Sequence, residues 1–279
     1  MRSALVIGGG GLIGSALSNA LSQLGIHVML TSRRNTPPEI FLDLVSVPLN
    51  LERLPKIDVV YLCAAISRFE DCERFPLLAR RVNVTAQVEL ARHFFLQGAR
   101  VIFLSTNAVF DGRHEAPVED QLVNPGSLYG ELKSDAEREL RDLAKQYAGA
   151  LVICRFTKVF GANSPLIVDW IKKTKDHHRV EAFSDMKISP VSLRFAVEGL
   201  IRCGISKYTG ILHFSGQEEF SYFYFASALA RTYGGSDGYI YPAQSGKPKR
   251  HNKLSMKITE QIIGMRAQSL NSLLEDLIS

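Results

Sequence analysis

The sequence predicts an α/β fold with a doubly wound parallel sheet, covered by helices on both faces, and a smaller C-terminal lobe. Five short runs rich in Val, Ile and Leu alternate with segments whose apolar residues recur at helical spacing. Strands buried on both faces of a parallel sheet are expected to read as continuous apolar runs. After residue 160 helical patterns predominate, without an internal repeat or a low-complexity linker.

The predicted elements of the first half alternate between strand and helix. The strands are residues 4–8, 26–31, 58–63, 100–105 and 150–155, and the helices are 12–24, 77–96 and 131–147. Later patterns predict helices over 165–175, 191–203, 221–232 and 256–277, short strands at 180–183 and 211–214, and a long loop over 234–253. We therefore expect a first domain over 1–160, to which the chain returns around 190–215, and a smaller lobe over 161–279.

Composition and charge exclude several classes of protein. The 279 residues are 46% hydrophobic, enough for a large core, and no run of 18 apolar residues predicts a membrane span. The four cysteines are far apart and form no CxxC pair, which predicts a cytoplasmic protein with reduced thiols and no metal site. The net charge of +5 suits an anionic ligand. The densest basic stretch, 247–253, lacks interleaved aromatic residues, so a solvated loop or a contact with a phosphate-bearing small molecule is favoured over a nucleic-acid site.

A glycine-rich turn follows the first predicted strand and opens the first helix. Gly8, Gly11 and Gly14 have the spacing G-x-x-G-x-x-G, with Leu12 and Ile13 between the last two. Glycine is needed because a side chain would hold the backbone away from a pyrophosphate, and the helix N-terminus offers free N–H groups to that anion. The position of this turn between strand and helix predicts dinucleotide binding and a Rossmann-type fold.

The end of the second predicted strand indicates which dinucleotide is bound. NAD-binding versions of this fold place a carboxylate there for the ribose hydroxyls, whereas this chain has Ser32, Arg33 and Arg34. A hydroxyl followed by two guanidinium groups suits a 2′-phosphate, which predicts NADP as cofactor, with NADPH preferred over NADH. Asp43 and Leu44 follow the next apolar segment, and we expect them near the adenine.

A tyrosine and a lysine one helical turn apart are the candidate catalytic pair. Tyr129 and Lys133 lie at positions i and i+4 and share one face of the predicted helix. A phenol is a poor acid–base catalyst at neutral pH, and a nearby ammonium would lower its pKa while also holding a ribose. Thr106 lies at the end of the fourth predicted strand, where functional groups collect in such sheets. Its hydroxyl is therefore expected to bond to a substrate carbonyl.

Together these residues resemble those of the extended short-chain dehydrogenase/reductases, and within them the dTDP-4-dehydrorhamnose reductase group. The matching segments span nearly the whole chain: Gly8 to Gly14, Cys63-Ala64-Ala65, Asn83-Val84, 103–112, Asn124-Pro125, Tyr129 to Glu137, Arg155, 159–161, Ser189-Pro190 and Lys247-Pro248. The resemblance implies an NADPH-dependent reductase of a keto group on a nucleotide-linked sugar. It also implies that the segment 63–65 and Asn83 lie beside the cofactor.

The same resemblance implies a division of roles within the site. The cofactor would deliver hydride to a sugar ketone, Tyr129 would protonate the oxygen, Thr106 would polarise the carbonyl, and Lys133 would tune Tyr129 and hold the ribose. Lys247 matches a late element of the family that meets the substrate. Thr106 and Asn107 are further expected substrate contacts, and so are Arg68 and Phe69, which follow the third predicted strand. The chain departs from the family at Lys158, which replaces an aromatic residue, at Lys247, which replaces an arginine, and in the loop 112–124, which lacks a tyrosine.

Alternatives to the reductase stay open at this point. A sugar dehydratase needs an acid–carboxylate pair directly after the catalytic hydroxyl, where this chain has Asn107-Ala108. An epimerase on the same fold favours an acidic residue near position 32, which is absent. A non-catalytic regulatory subunit, binding NADP and a partner protein, also occurs among relatives of this group. The intact set of Thr106, Tyr129 and Lys133 favours an enzyme over a non-catalytic subunit. For the oligomeric state, a homodimer is one option.

Overall fold

The computed structural model describes residues 1–34 and 39–278, which divide between two compact units. Of the described residues, unit 1 takes those within 1–111, 120–155 and 197–212. Unit 2 takes residues 112–119, 156–196 and those from 213 onward. Residues 35–38 and Ser279, which fall within the predicted domain ranges, lie outside the described residues. Each unit is thus assembled from segments that are separated in sequence.

The described chain alternates strands and helices along the first half, and helices become more frequent later. The strands are β1 (Ser3–Ile7), β2 (His27–Ser32), β3 (Ile40–Phe41), β4 (Val59–Leu62), β5 (Arg100–Thr106), β6 (Leu151–Phe156), β7 (Val159–Phe160), β8 (Val180–Phe183), β9 (Lys187–Ile188), β10 (Val191–Ser192), β11 (Gly210–Phe214), β12 (Phe220–Ser221) and β13 (Ile240–Ala243). The helices are α1 (Leu12–Gln23), α2 (Phe69–Arg74), α3 (Pro76–Arg80), α4 (Ala86–Leu96), α5 (Leu128–Tyr147), α6 (Pro165–Lys175), α7 (Leu193–Ile205), α8 (Tyr222–Thr232), α9 (Lys257–Ile263) and α10 (Leu270–Ile278). A π-helical turn, Arg81–Thr85, joins α3 to α4.

The central sheet has seven strands in the order β11-β6-β5-β4-β1-β2-β3. Strand β1 pairs in parallel with β2 and β4, β2 pairs in parallel with β3, and β4 with β5. Every residue of β4 and β6 is buried, as expected for strands covered on both faces. The strand order changes direction beside β1, and in such sheets ligands bind outside the carboxyl ends of the strands at this point. The predicted doubly wound α/β fold is confirmed.

The core of unit 1 lies between this sheet and the helices α4 and α5. Leu5, Val60 and Phe103 of the strands belong to one buried cluster with Phe94 of α4 and Leu140 of α5. Full burial of a large apolar side chain stabilises a fold by about 1.5–3 kcal/mol. This packing holds α5 against β5, the two elements that carry the candidate catalytic side chains.

Unit 2 has its own core, formed by α6, α8 and α10 together with the paired strands β8 and β13. Ile167, Trp170, Phe225, Leu229 and Leu273 are buried in this cluster. Strands β8 and β13 run parallel to each other and place alternate residues of β8 in the core. Trp170 is therefore a core residue of the smaller unit.

Several predicted elements are wrong in detail. The helix predicted over 77–96 is interrupted by the π-helical turn, and the one predicted over 191–203 is preceded by β10. The helix predicted over 256–277 is two helices, because Gly264 adopts a left-handed backbone with φ of +67° and ends α9. The loop predicted over 234–253 contains β13, whose pairing with β8 is tertiary.

The described residues contain neither a helix that could span a membrane nor a group of metal ligands, and their cysteines are unpaired. None of the helices within 1–34 and 39–278 has the length and apolarity that crossing a membrane requires. In the same ranges, no three His, Cys, Asp or Glu side chains are grouped so that they could hold a metal ion. The four cysteines are free, and the sulfur atoms of Cys154 and Cys203 lie 3.7 Å apart. Burial raises the pKa of the Cys154 thiol, which disfavours thiolate chemistry there.

Candidate active site

The glycine turn between β1 and α1 is shaped by close backbone contacts. A Cβ added to Gly14 would lie 2.3 Å from the carbonyl oxygen of Gly8, and one added to Gly8 would lie 2.9 Å from Ala64. Gly8 also has a φ of +88°, which residues with side chains rarely adopt. A Cβ at Gly10 would meet nothing within 4 Å, and Gly11 is exposed. The turn is therefore closed where it packs on the sheet and open where a ligand would approach.

The start of α1 is suited to a phosphate group. Gly11 is the N-cap residue and provides no side-chain cap, and the first turn of the helix contains no acidic residue. The free N–H groups and the positive dipole end of such a helix start attract anions. These residues fit the pyrophosphate of a dinucleotide. The group that would hold it comprises Gly8, Gly11, Leu12, Ile13 and Gly14.

A hydroxyl and two arginines stand at the end of β2. The Oγ atom of Ser32 accepts a hydrogen bond from the N–H of Arg34 at 3.0 Å. The side chains of Arg33 and Arg34 are exposed. Asp43 follows β3, which pairs with β2 at Ser32, and the neighbouring Leu44 is buried. The predicted adenosine contacts thus lie on adjacent strand ends of one sheet.

Two buried amides hold the small-residue segment that follows β4. Asn83 Oδ1 accepts a hydrogen bond from the N–H of Ile66 at 2.8 Å, and its Nδ2 donates to the Ile66 carbonyl at 2.9 Å. Gln87 Nε2 donates to the carbonyl oxygens of Ala64 at 3.1 Å and of Val82 at 2.9 Å. Both amide side chains are fully buried. Asn83, expected beside the cofactor, therefore binds the backbone of the segment that includes Ala64.

Gln87 was not among the residues predicted from the sequence. This residue lies four positions after Asn83, on a face of α4 whose next member, Leu90, is buried and apolar. A buried amide on such a face requires hydrogen-bond partners, and this is the signal that could have identified it. Because Ala64 closely approaches Gly8, Gln87 supports the glycine turn through Ala64.

The end of β5 and the start of α5 bring a hydroxyl and a phenol together. Thr106 ends β5 and Tyr129 is the second residue of α5, and Thr106 is close enough to lower the pKa of the phenol. The Ser127 hydroxyl caps α5 by accepting a hydrogen bond from the N–H of Gly130 at 3.2 Å. A Cβ on Gly130 would lie 2.1 Å from the carbonyl oxygen of Ala108, so only glycine permits this approach of α5 to the turn after β5. Local sequence thus places Tyr129 beside Thr106.

The surroundings of Tyr129 favour the protonated phenol. Burial raises its pKa, the Cys72 thiol raises it further, and the hydrogen bond with Thr106 lowers it, so that the pKa ends above its ordinary value. The ring of Phe69 lies 5.5 Å from the Tyr129 ring, centroid to centroid. The lowering of this pKa that the sequence argument expected from Lys133 is absent from the described contacts. The phenol of Tyr129 is therefore protonated at neutral pH.

Lys133 binds the backbone of β5. Its Nζ atom donates a hydrogen bond to the carbonyl oxygen of Leu104 at 2.5 Å and lies 3.8 Å from the centroid of the Phe103 ring. The side chain is only 2% exposed. Burial lowers the pKa of Lys133 to about 7, against the opposing effect of the Glu137 carboxylate. The amine is thus one helical turn from Tyr129, as predicted, but the carbonyl of Leu104 is its partner.

Lys133 is expected to make the free energy of unfolding depend on pH. Its pKa of about 7 in the folded protein lies below its ordinary value of 10.5, so between these values the unfolded chain binds more protons and stability rises with pH. This contribution is complete above 10.5 and is lost as the pH falls through about 7. We expect the thermal midpoint to rise more steeply between these pH values in the wild type than in Lys133→Met. Lys145→Met, an exposed position on α5, is the control, and equal slopes in all three proteins would contradict this assignment.

A buried ion pair joins α5 to β6. Nη2 of Arg155 lies 2.7 Å from Oε2 of Glu137, and both side chains are less than 5% exposed. The Ser105 hydroxyl donates a hydrogen bond to Oε1 of Glu137 at 2.5 Å. The Arg155 guanidinium lies 5.1 Å from the centroid of the Phe110 ring. From the sequence, Glu137 and Arg155 were identified only as matches to family motifs. The hydrogen bond from Ser105 to Glu137 was not predicted.

The predicted substrate contacts fall in both units. Arg68 and Phe69 are exposed at the start of α2, where Arg68 pairs with carboxylates of its own helix at 3.5 and 3.8 Å. Phe69 contacts the candidate phenol, and Asn107 Oδ1 accepts a hydrogen bond from the Thr106 hydroxyl at 3.4 Å. Lys247 lies in unit 2, in the exposed loop after β13. Within unit 1, the structure therefore joins Phe69, Thr106 and Asn107 to the tyrosine.

Comparison with known proteins places relatives along the whole chain. The family model described as RmlD substrate binding domain matches residues 1–277. Methionine adenosyltransferase 2 subunit beta of Xenopus laevis is 27% identical over 261 residues, covering 86% of this chain and 75% of that protein. The dTDP-4-keto-6-deoxy-D-glucose reductase of Streptomyces niveus is 27% identical over 248 residues, covering 87% of this chain and 83% of that protein.

Solved structures share the fold over nearly the full length. A dTDP-4-dehydrorhamnose reductase from Clostridium acetobutylicum has a TM-score of 0.86 and 23% identity, covering 99% of this chain and 98% of that one, a likeness that shows the fold alone. MoeE5, solved in complex with UDP-glucuronic acid and NAD, has a TM-score of 0.84 and 25% identity, covering 98% of this chain and 97% of that one. Together with the family model that matches residues 1–277, these structures confirm the predicted resemblance to the dTDP-4-dehydrorhamnose reductase group.

Proposed function

This chain belongs to the RmlD substrate binding domain family, and from that premise we propose that it is an NADPH-dependent reductase of a keto group on a nucleotide-linked sugar. The observation that carries the proposal is that β5 and α5 place the hydroxyl of Thr106 and the protonated phenol of Tyr129 together at the carboxyl end of β5. A hydroxyl and a protonated phenol side by side can polarise a carbonyl and then protonate its oxygen. The reductase from Streptomyces niveus is among the relatives that support this reaction class.

The chain's own groups divide the reaction among them. NADPH, when bound, supplies the hydride. The Thr106 hydroxyl would donate a hydrogen bond to the ketone oxygen, and Tyr129 would give that oxygen its proton. Lys133 would hold the nicotinamide ribose, and its positive charge would stabilise the phenolate that remains after proton transfer. In the free protein the Thr106 hydroxyl donates to Asn107 Oδ1 at 3.4 Å, so a bound ketone would take the place of Asn107 as the acceptor of this hydrogen bond.

A substrate panel tests the proposed reaction. The protein is incubated with NADPH and dTDP-, UDP- or GDP-linked 4-keto sugars, and cofactor oxidation is followed by nicotinamide absorbance. We expect oxidation with at least one sugar, and one alcohol product per NADPH consumed. The Streptomyces niveus reductase serves as a positive control for the dTDP-linked substrates. If no member of the panel is reduced while the control turns over, the proposed function is wrong.

Arg33 and Arg34 are expected to set the preference for NADPH over NADH. Their guanidinium groups, exposed at the end of β2, would bind the 2′-phosphate that only NADPH carries. Hydrogen bonds to charged groups contribute about 1.5–3 kcal/mol each, so we expect Arg33→Ala/Arg34→Ala to raise the Kd for NADPH at least tenfold, or roughly 1.4 kcal/mol, by titration calorimetry. The Kd for NADH should not change, nor either Kd in Arg92→Ala, an exposed position on α4. Equal weakening of both cofactors would contradict the assignment.

A second candidate function is a non-catalytic subunit that binds NADP and a partner protein. It is favoured by the similarity to the Xenopus laevis protein, which is named a subunit of methionine adenosyltransferase 2. Binding of a methionine adenosyltransferase catalytic subunit, measured by calorimetry, distinguishes the two candidates when combined with Tyr129→Phe. The substitution should abolish turnover in a reductase, whereas it should leave partner binding unchanged in a subunit.

A further inference from the structure

A basic loop follows β13 in unit 2 and runs from Lys247 to Lys253. Lys247, Lys249 and Arg250 are exposed, so three cations occur within four residues. Within the described residues, none of these three side chains takes part in an ion pair. Like charges that are close in sequence repel each other, and such a loop holds one conformation only if its backbone is anchored.

One carboxylate, that of Glu219, anchors the C-terminal part of this basic loop. Its Oε1 atom accepts hydrogen bonds from the N–H groups of Asn252 at 2.5 Å and Lys253 at 3.2 Å. Its Oε2 atom lies 3.0 Å from Nδ1 of His251 and 3.3 Å from Nζ of Lys187. The Glu219 side chain is only 10% exposed, and hydrogen bonds sheltered from water are stronger. Glu219 therefore ties three consecutive loop residues to the segment before β12.

The ionised form of Glu219 is the one that makes these contacts. Burial raises its pKa, but the donors from Asn252, His251, Lys253 and Lys187 outweigh burial, and the pKa is lowered. A carboxylate can accept at both oxygen atoms, whereas a glutamine amide would direct an N–H group at donors. Glu219→Gln is therefore expected to break the anchor while keeping the size of the side chain.

Further contacts fix the basic loop at both of its ends. Asp185 accepts hydrogen bonds from the N–H and the hydroxyl of Ser245, each at 2.9 Å, just before the loop begins. The N–H of His251 donates to the carbonyl oxygen of Gly112 at 2.8 Å. A Cβ on Gly112 would lie 2.8 Å from the Cβ of Arg250, so the loop backbone packs directly on glycine. The three exposed cations thus stand on a backbone that is held on either side.

We propose that Glu219 is a positioning residue for the nucleotide-sugar, because it holds the basic loop in the conformation in which Lys247, Lys249 and Arg250 meet a diphosphate group. The inference rests on the proposed substrate class. Lysine and arginine are the side chains that bind phosphate groups, and a loop that is already ordered loses less entropy when it binds. Glu219 itself repels the ligand's charge and does not touch it. Its loss should therefore weaken substrate binding without changing the chemical step.

Glu219→Gln tests this inference, with Glu218→Gln as its matched control. Glu218 adjoins Glu219 in sequence, but its carboxylate accepts a hydrogen bond from the N–H of Leu270 instead. We expect Glu219→Gln to raise both the KM for the nucleotide-sugar and the Kd for dTDP or UDP at least tenfold, which equals roughly 1.4 kcal/mol. The values of kcat and of the Kd for NADPH should stay at wild-type levels, and Glu218→Gln should change none of these quantities.

Limited proteolysis gives a readout that does not depend on activity. Trypsin cleaves after lysine and arginine in mobile backbone, so cleavage after Lys249 and Arg250 should be faster in Glu219→Gln than in Glu218→Gln or the wild type. Asn252→Ala is a second variant that leaves the buried charge in place. It removes the 2.8 Å hydrogen bond from the Asn252 side chain to the Lys187 carbonyl and should weaken dTDP or UDP binding in the same direction.

The outcomes separate this inference from the proposed reaction. Unchanged nucleotide affinity in Glu219→Gln overturns the inference, and so does a parallel loss of kcat and NADPH affinity, which would indicate a general structural role. If Glu219→Gln does not fold, unchanged nucleotide affinity in Asn252→Ala overturns it. If nucleotide binding weakens as expected but no keto-sugar is reduced, the inference stands and the proposed reaction fails. Failure of the wild type to bind dTDP or UDP overturns both.

Discussion

Replacing Tyr129 with phenylalanine is expected to lower kcat for reduction of a nucleotide-linked keto-sugar by about 10²–10⁴-fold. The substitution removes the proposed proton donor, the phenol of Tyr129, which burial keeps protonated. The aromatic ring remains, and with it the contact to Phe69 at 5.5 Å between centroids. The fold should therefore be unchanged, and kcat is measured from NADPH oxidation at saturating substrate.

Tyr147→Phe is the control for this variant, because Tyr147 is the last residue of the same helix, α5. It should have the wild-type kcat, and both variants should bind NADPH as the wild type does. A Tyr129→Phe protein with unchanged kcat would rule out proton transfer by the phenol. If NADPH binding is lost together with activity, Tyr129 has a structural role instead.

Replacing Arg155 with methionine is expected to lower the free energy of unfolding by about 3–5 kcal/mol. The guanidinium lies 2.7 Å from Glu137, and both side chains are less than 5% exposed, so its loss leaves a buried carboxylate without its charge partner. Arg202→Met is the matched control, because Arg202 pairs with Glu198 at 2.6 Å on the surface. An exposed ion pair contributes about 0–1 kcal/mol, and the control should lose no more than that.

Denaturant unfolding of both variants measures the difference. Losses of equal size would show that burial of the Arg155–Glu137 pair does not decide its contribution. The double variant Arg155→Met/Glu137→Gln should recover part of the loss, because the cost arises from an unpaired buried charge more than from a missing contact. Since Glu137 also accepts the hydrogen bond of Ser105, next to Thr106, the single variant should lower kcat as well.

The central sheet could be predicted from the sequence because its strands are buried in the interior. Strands β4 and β6 are covered on both faces, so their residues are apolar except for Arg155, and the apolar runs mark them within a residue or two. Unit 2 was less accessible. Pro242 lies within β13, whose strand geometry depends on pairing with β8. Gly264 ends α9 inside a helical pattern that apolar periodicity alone would continue.

Those parts of the candidate site that depend on residues close together in sequence could be predicted. The spacing of Tyr129 and Lys133 placed both on one face of a helix, and the glycine turn stood where it was expected. The spacing could not predict that the ammonium group of Lys133 donates a hydrogen bond to the carbonyl oxygen of Leu104. Gln87 and Ser105 were missed for the same reason, since each acts through a buried hydrogen bond to a residue distant in sequence.

The discontinuous make-up of unit 1 has a consequence for its synthesis on the ribosome. Strand β6 lies between β5 and β11 in the finished sheet, and all six of its residues are buried there. A nascent chain that has emerged only as far as residue 160 would present β6 as an open, apolar edge, the kind of edge that pairs with other chains and aggregates. This edge of β6 is therefore expected to stay open until β11 (Gly210–Phe214) has been synthesised, and aggregation is expected to be most favourable during that interval.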